Sequence, residues 1–331
     1  MGTGERNNAL DGVRALAIMV VIAHHAHAPF ARGGFIGVDL FFVLSGYLIS
    51  SILFKERDRD GTINVLRFLK RRAKRLWPPL LIMLAAAAVI VPMLWPDVPT
   101  LLVLFLAAFY LTDMFGKEVP IVGHTWSLSV EMQFYLIWPI VVFWLGPRIR
   151  TRALLLMFAA VTLWRLGNGI YFHDFAQTAF RFDMRLSGLI LGSAIAAGGF
   201  SLRGRKAEIV GWASTALLLF LSVVLWQDAV TMAYMQPTID LAAAGLVVSL
   251  VGSEGTIINK VFSWRPLAWV GLISYSLYLW HLPIARAAML YSGDWRVVLA
   301  ATVALSVPIA ALSYAFIEKP MQRRRTAQLA I

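Results

Sequence analysis

Two residues stand out for the chemistry they could do: Arg14 and His25, which lie with Asp11 and His24 in the largely apolar stretch LDGVRALAIMVVIAHH. A guanidinium is permanently charged and forks onto phosphate or carboxylate oxygens. An imidazole takes up and releases a proton near neutral pH. The two residues are three helical turns apart, so a helix puts them on one face, about 16 Å apart along its axis. A charge at the centre of a membrane-spanning helix costs about 2.5–3.5 kcal/mol on insertion scales. One explanation is an arginine that snorkels to the headgroups and a histidine that closes the helix at the interface. The other is a polar passage through the protein, and the ionisable residues that follow favour it.

The stretch GGFIGVDLFFVLSGYLI offers Gly33, Gly34 and Gly37 for a tight turn, then Asp39, then the small pair Ser45 and Gly46. Small residues in membrane helices usually serve packing. A carboxylate at Asp39 needs a partner, and His25, one hairpin away, is the candidate. In HTWSLSVEMQFYLIWP, Glu131 lies about a turn inside an aromatic-rich helix. The bland alternative makes it an interfacial carboxylate, with Ser127 as N-cap, His124 solvated and Trp126 in an aromatic belt. RFDMRLSGLILG opens another span with Arg181, Asp183 and Arg185, which interfacial ion pairing explains nearly as well as function does. SYSLYLWHLP leaves His281 in mid-span, where a structural hydrogen bond and a functional role weigh equally. His24 and His27 share a helical face, but a catalytic zinc needs a third ligand. No HExxH-like spacing supplies one, so no metal is expected.

These residues need elements to hold them. The chain has 331 residues, 59% hydrophobic and 15% charged, against about a quarter charged in a soluble domain. About eleven apolar segments follow one another from residue 9 to residue 317, to be read against the roughly 20 residues a spanning helix needs. An all-α transmembrane bundle is expected, a single domain over 1–331. The segments 79–94, 101–115 and 237–252 are short. Positive charge collects at Lys55–Arg75, Arg148–Arg152, Arg203–Lys206 and Arg323–Arg325. The positive-inside rule puts these regions and both termini in the cytoplasm. The number of crossings is then even, and ten are expected, with 101–115 the segment that does not cross.

The net charge of +12 lies in these short segments without the basic–aromatic interleaving of a nucleic-acid surface. Cysteine is absent, which excludes thiolate metal sites and an acyl-cysteine intermediate. The N-terminal segment lacks a short apolar core followed by an A-x-A site and reads as a retained span. In KERDRDGTINVLRFLKRRAKRLWPP, Leu66, Leu69, Ala73 and Leu76 fall at helical spacing opposite Lys70, Arg71, Lys74 and Arg75. That pattern predicts a basic amphipathic helix at the cytoplasmic face, stopped by Pro78 and Pro79.

In order along the chain, LDGVRALAIMVVIAHH, GGFIGVDLFFVLSGYLI, FLKRRAKRLWPP, HTWSLSVEMQFYLIWP, RFDMRLSGLILG, SYSLYLWH and IEKPMQRR cover nearly its whole length. Each is weak alone; the ordered set closely resembles the acyltransferase-3 family of bacterial integral-membrane O-acyltransferases. The resemblance implies a multi-pass protein of the bacterial cell (inner) membrane. It implies transfer of an acyl group, commonly acetyl, from cytoplasmic acyl-CoA to a hydroxyl, usually on a sugar of a surface or secreted glycan. The donor, acetyl-CoA in the commonest case, is a substrate, and no tightly bound cofactor is expected. By motif, Arg14 and His25 become functional residues, supported by Glu131 and by Arg71, Arg72 and Arg75. Relatives often carry Glu-Glu after WSLSV where this chain has Glu131-Met132, so the second carboxylate is missing. Some relatives add an extracytoplasmic SGNH hydrolase-like domain. None is expected within 1–331, so a cooperating partner is expected to be a separate protein.

On that expectation Arg71, Arg72 and Arg75, with Lys70 and Lys74, hold the CoA phosphates, the pantetheine arm threads past Arg14, and His25 is the general base. Asp39 or Glu131 fixes the imidazole tautomer, as the acid does in a triad. Ser45, Trp126, Arg181, Asp183 and His281 are candidates for the lining of the passage. No serine sits in a G-x-S-x-G elbow, which disfavours an acyl-serine; direct transfer and an acyl-His25 intermediate stay open. A secondary transporter would also bury Arg, His and Glu, usually with paired broken helices in two related halves, which this sequence does not show. A glycan-lipid flippase would share the sidedness without needing a CoA site.

Overall fold

The computed structural model describes residues 7–115, 121–146, 149, 151–172 and 179–321. Among these residues all regular structure is helical, as expected where no water is present to satisfy an open backbone. In chain order the helices are α1 (Asn8–His25), α2 (Gly37–Asp60), α3 (Val65–Leu94), α4 (Thr100–Ala108), α5 (Thr112–Phe115), α6 (Thr125–Leu145) and α7 (Thr151–Phe172). Then come α8 (Phe182–Gly198), α9 (Gly204–Val224), α10 (Ala229–Tyr234), α11 (Gln236–Val251), α12 (Ile257–Phe262), α13 (Arg265–Leu272), α14 (Ser274–Met289) and α15 (Trp295–Ser313).

Six of these helices are long and apolar enough to cross a membrane, seven if α13 and α14, bent by 70° at their junction, form one span. Ten crossings require α1, α8 and α11 as well, of 18, 17 and 16 residues. Helix α1 falls outside the first count because Asn8, Asp11, Arg14, His24 and His25 lower its hydropathy. Segment 101–115 is divided between α4, of nine residues, and α5, of four. At 1.5 Å per residue, α4 reaches about 14 Å, less than half the hydrocarbon thickness.

The core is the interior of the bundle. Ile18 and Val21 of α1, Phe42 and Ile49 of α2, Leu80 and Met83 of α3, and Val130 and Phe134 of α6 are all buried in one apolar cluster. Helix α1 starts where the Asn7 side chain accepts hydrogen bonds from the amides of Ala9 and Leu10, at 3.0 and 3.3 Å. Helices α2 and α8 touch backbone to backbone. A Cβ on Gly46 would sit 2.0 Å from the Leu189 carbonyl oxygen, and one on Gly192 would sit 2.0 Å from that of Val43.

The expected stop at Pro78 and Pro79 is corrected: α3 runs through both. Each proline lacks an amide, which frees the carbonyls of Lys74 and Arg75 from their helical partners. The helix survives because neighbouring helices support this turn, where the Tyr275 hydroxyl donates to the Leu76 carbonyl at 2.6 Å. The amphipathic face is corrected as well. Leu66 is 61% exposed, whereas Phe68, Leu76 and Leu80 are buried, and Arg72 and Arg75 fall on the buried side, at a cavity.

Candidate active site

Helices α1, α2, α3, α6 and α14 enclose a cavity of about 740 Å³, its open mouth included. His124 packs on His281, the partner of His25, and Glu131, about 10 Å further along α6, lines the cavity with Arg14, so α6 runs antiparallel to α1. Around Arg14 the lining is Arg72, Arg75, Glu131 and Tyr135; at the opposite end it is Phe41, Ser127 and Tyr278.

At the arginine end, Arg14 pairs with Asp11 at 2.7 Å. The Arg72 guanidinium lies over the rings of Phe68 and Tyr135, 5.4 Å from each centroid, a placement that attracts a cation to both π faces. The Arg75 Nε is buried without a hydrogen-bond partner. Glu131 accepts a hydrogen bond from Ser45 Oγ at 2.5 Å. With Arg14 paired to Asp11, Arg72 and Arg75 against Glu131 still leave the lining with a positive surplus, which suits an anion. Lys70 is exposed, and neither it nor Arg71 lines the cavity. Of the five cations grouped in the sequence, α3 therefore brings two to the site.

At the other end, His25 Nδ1 and His281 Nε2 are 3.1 Å apart, and His281 Nδ1 is 2.6 Å from the Tyr278 carbonyl oxygen. A carbonyl only accepts, so the proton of neutral His281 is on Nδ1 and its Nε2 is an acceptor. His25 Nδ1 must then donate, which leaves the lone pair of His25 Nε2 free. It gives His25 the form a general base needs. The Tyr278 hydroxyl reaches Ser127 Oγ at 2.7 Å and donates to the His124 carbonyl at 2.9 Å.

Two expected partnerships are corrected. Asp39 does not bond the His25 ring: it forms an ion pair with Arg185 at 2.9 Å, and both side chains are buried. Arg185 also donates to Gln236 at 2.7 Å and stacks over Trp126 at 5.0 Å. Glu131 does not share the level of His25, because it lies seven positions beyond His124 along α6. Trp126 contacts Phe42 and Phe180 rather than a headgroup belt. His124, expected to be solvated, is 3% exposed with both ring nitrogens unpartnered. Ser127 bonds the His124 carbonyl and Tyr278 and caps no amide. Arg181 and Asp183 form a half-exposed ion pair at 2.7 Å, the interfacial reading of the two. Among the described residues no group of three or more His, Cys, Asp or Glu is placed to hold a metal ion.

The sequence reading missed a second polar cluster. Arg165, fully buried, donates to Ser187 at 3.0 Å, and Ser187 donates to Asp240 at 2.6 Å. The signal was there: an arginine and an aspartate inside apolar segments, as conspicuous as His281.

An all-helical bundle with several membrane-length helices around a cationic cavity and a histidine pair defines a multi-pass membrane protein with a buried polar site. The acyltransferase-3 family model, described as an acyltransferase domain, matches residues 7–318, and the chain belongs to this family. It is 32% identical over 344 aligned residues to O-acetyltransferase OatA of Staphylococcus aureus NCTC 8325, an alignment that covers 95% of this chain and 57% of that protein. It is 30% identical over 348 to peptidoglycan O-acetyltransferase OatA of Listeria monocytogenes, with 95% and 56% covered. The chain thus spans a little over half the length of these relatives. No solved structure matches it.

Proposed function

We propose that this protein transfers an acyl group, acetyl in the first instance, from a CoA thioester to a hydroxyl of a glycan across the membrane. The observation that carries the reading is one cavity with arginines at one end and Tyr278, whose ring packs on His281 of the His25–His281 pair, at the other. In this reading α1, α8 and α11 cross too, giving ten spans, and the Arg14 end faces the cytoplasm. Arg72, Arg75 and Arg14 hold the donor phosphates, since guanidinium forks match phosphate oxygens. Glu131 limits the repulsion among them and keeps the empty site from being too cationic. The pantetheine arm, comparable in length to the roughly 16 Å from Arg14 to His25, carries the thioester inward.

His25 Nε2 takes the proton of the acceptor hydroxyl as its oxygen attacks the thioester carbon. The C–S bond breaks, and the imidazolium returns the proton to the CoA thiolate. A positioned base contributes about 10²–10⁴-fold. His281 holds the productive tautomer, the part first given to Asp39 or Glu131. Peptidoglycan, the acceptor named for the Listeria relative, is the first acceptor to test.

The test is acetyl transfer from labelled acetyl-CoA to peptidoglycan fragments by the purified protein. The expected result is turnover by the parent and its loss in His25→Ala. Arg72→Ala with Arg75→Ala should raise the KM for acetyl-CoA at least tenfold with less effect on the acceptor. A parent that neither transfers acetyl nor releases CoA overturns the reading and leaves transport or flipping to be assayed.

A further inference from the structure

His25 is half-buried but does not line the arginine cavity, so the surface it exposes lies outside that cavity. In the acyl-transfer reading, donor and acceptor then reach the imidazole from different sides. The acceptor side has a cation of its own. Arg286 lies in the last turn of α14, inside the apolar run LPIARAAML. Ala285, its neighbour in sequence, is buried in one cluster with Ala26, the residue after His25. Arg286 is thus at the level of His25, and its charge is felt at the His25 ring.

Three features set this arginine apart. It lies at the end read as outer, which the positive-inside rule keeps poor in cations. Leu279 and Leu282, seven and four residues earlier, share its helix face and are buried, so Arg286 continues the inward face of α14. It has neither a hydrogen bond nor an ion pair among the described residues. Arg32 and Arg296 at the same end are engaged, lying over the rings of Trp226 and Trp295 at 4.8 and 5.2 Å. An ionisable residue in a span marks a substrate pathway more often than a packing need, and a guanidinium fork matches the two oxygens of a carboxylate. We propose that Arg286 is an acceptor-binding residue, which holds a carboxylate of the glycan and so brings a nearby hydroxyl to His25. Resting on the acyl-transfer reading above, it adds the class of acceptor: an acidic glycan rather than a neutral one. Arg286 is five positions beyond His281, about 7.5 Å along α14, so the carboxylate and the reacting hydroxyl belong to one sugar or to adjacent ones.

The experiment compares two acceptors for labelled acetyl-CoA: peptidoglycan fragments with free carboxylates, and the same fragments with those carboxylates converted to neutral methylamides. The parent should use the acidic fragments with a kcat/KM at least tenfold higher. Arg286→Gln should remove that preference by raising the KM for the acidic fragments at least tenfold. Its kcat/KM for the amidated fragments and its KM for acetyl-CoA should stay within twofold of the parent. Arg286→Lys, which keeps the charge without the fork, should retain part of the preference. Arg67→Gln, at an exposed arginine of the opposite end, should leave it within twofold. An active parent without the preference overturns the acceptor site alone. So does equal loss on both acceptors in Arg286→Gln, the result expected of an arginine that binds lipid headgroups. A parent that hydrolyses acetyl-CoA but acetylates neither fragment also overturns it alone. A parent that neither transfers acetyl nor releases CoA overturns the acyl-transfer reading and the acceptor site with it.

Discussion

Among the described residues, the ring of His25 is held by a second imidazole rather than by a carboxylate. A neutral orienting group gives the free nitrogen its lone pair without a negative charge to stabilise the imidazolium. If His281 serves only to set the tautomer, an acceptor in its place should suffice. His281→Ala is expected to lower kcat about 10–100-fold, a fraction of what a general base supplies, with KM for acetyl-CoA unchanged. His281→Gln, whose amide oxygen can accept from His25 Nδ1, should recover a good part of kcat. Equal loss in both variants would mark His281 as a packing residue. Asp39 belongs to another prediction. Removing one partner of a buried ion pair costs about 3–5 kcal/mol, so Asp39→Ala should lower the thermal midpoint in detergent sharply. Asp39→Leu with Arg185→Met should restore part of it, and no recovery would show that the pair does more than compensate charge. Arg14, His25 and Glu131 were legible in the sequence, because an ionisable group in an apolar run is conspicuous whatever surrounds it, while Arg72 and Arg75 lie in a cation-rich segment and were singled out through the family resemblance. Their partners were not. His25 and His281 are 256 positions apart, and proximity of that kind is decided by packing.

At the scale of elements, helices were read well from apolar periodicity and their faces were not. Leu66, Leu69, Ala73 and Leu76 look like a buried stripe only if the cations opposite them meet water. Here the polar side is a cavity inside the bundle, so Arg72 and Arg75 turn inward and Leu66 outward. Prolines misled for a related reason. They end a helix that nothing outside it holds, and α3 is held at that turn by α14, whose Tyr275 hydroxyl donates to the Leu76 carbonyl. The close contact of α2 and α8 makes a prediction of its own. Replacing Gly192 by Leu puts a side chain into the Val43 carbonyl, and overpacking of this kind costs about 1–3 kcal/mol or more. The expected outcome is a fall of the thermal midpoint in detergent, with a matching loss of folded protein. Gly293→Ala, at an open site, is the control and should change neither.

For the whole molecule, the lack of native cysteine makes sidedness directly measurable. Helix α14 runs parallel to α1, and Phe30 meets Trp295 beyond both, so Gly293 lies at the His25 end and Thr62, between α2 and α3, at the arginine end. A cysteine at Gly293 should react with a membrane-impermeant thiol reagent added to whole cells, and one at Thr62 only after lysis. The reverse pattern would place the arginines outside and remove the cytoplasmic donor. The buried charges bear on how such a chain is made. Asp39 on α2 is balanced by Arg185 on α8, and Asp240 on α11 is linked through Ser187 to Arg165 on α7. A ribosome adding about 5–20 residues each second delivers Arg185, 146 positions after Asp39, only some 7–30 s later, by the same rate. For that interval α2 must wait beside the insertion machinery or a chaperone with its carboxylate unmatched. Release of the early helices into lipid is thus tied to synthesis of the late ones, and a truncation before α8 should be degraded rather than accumulate as a stable half.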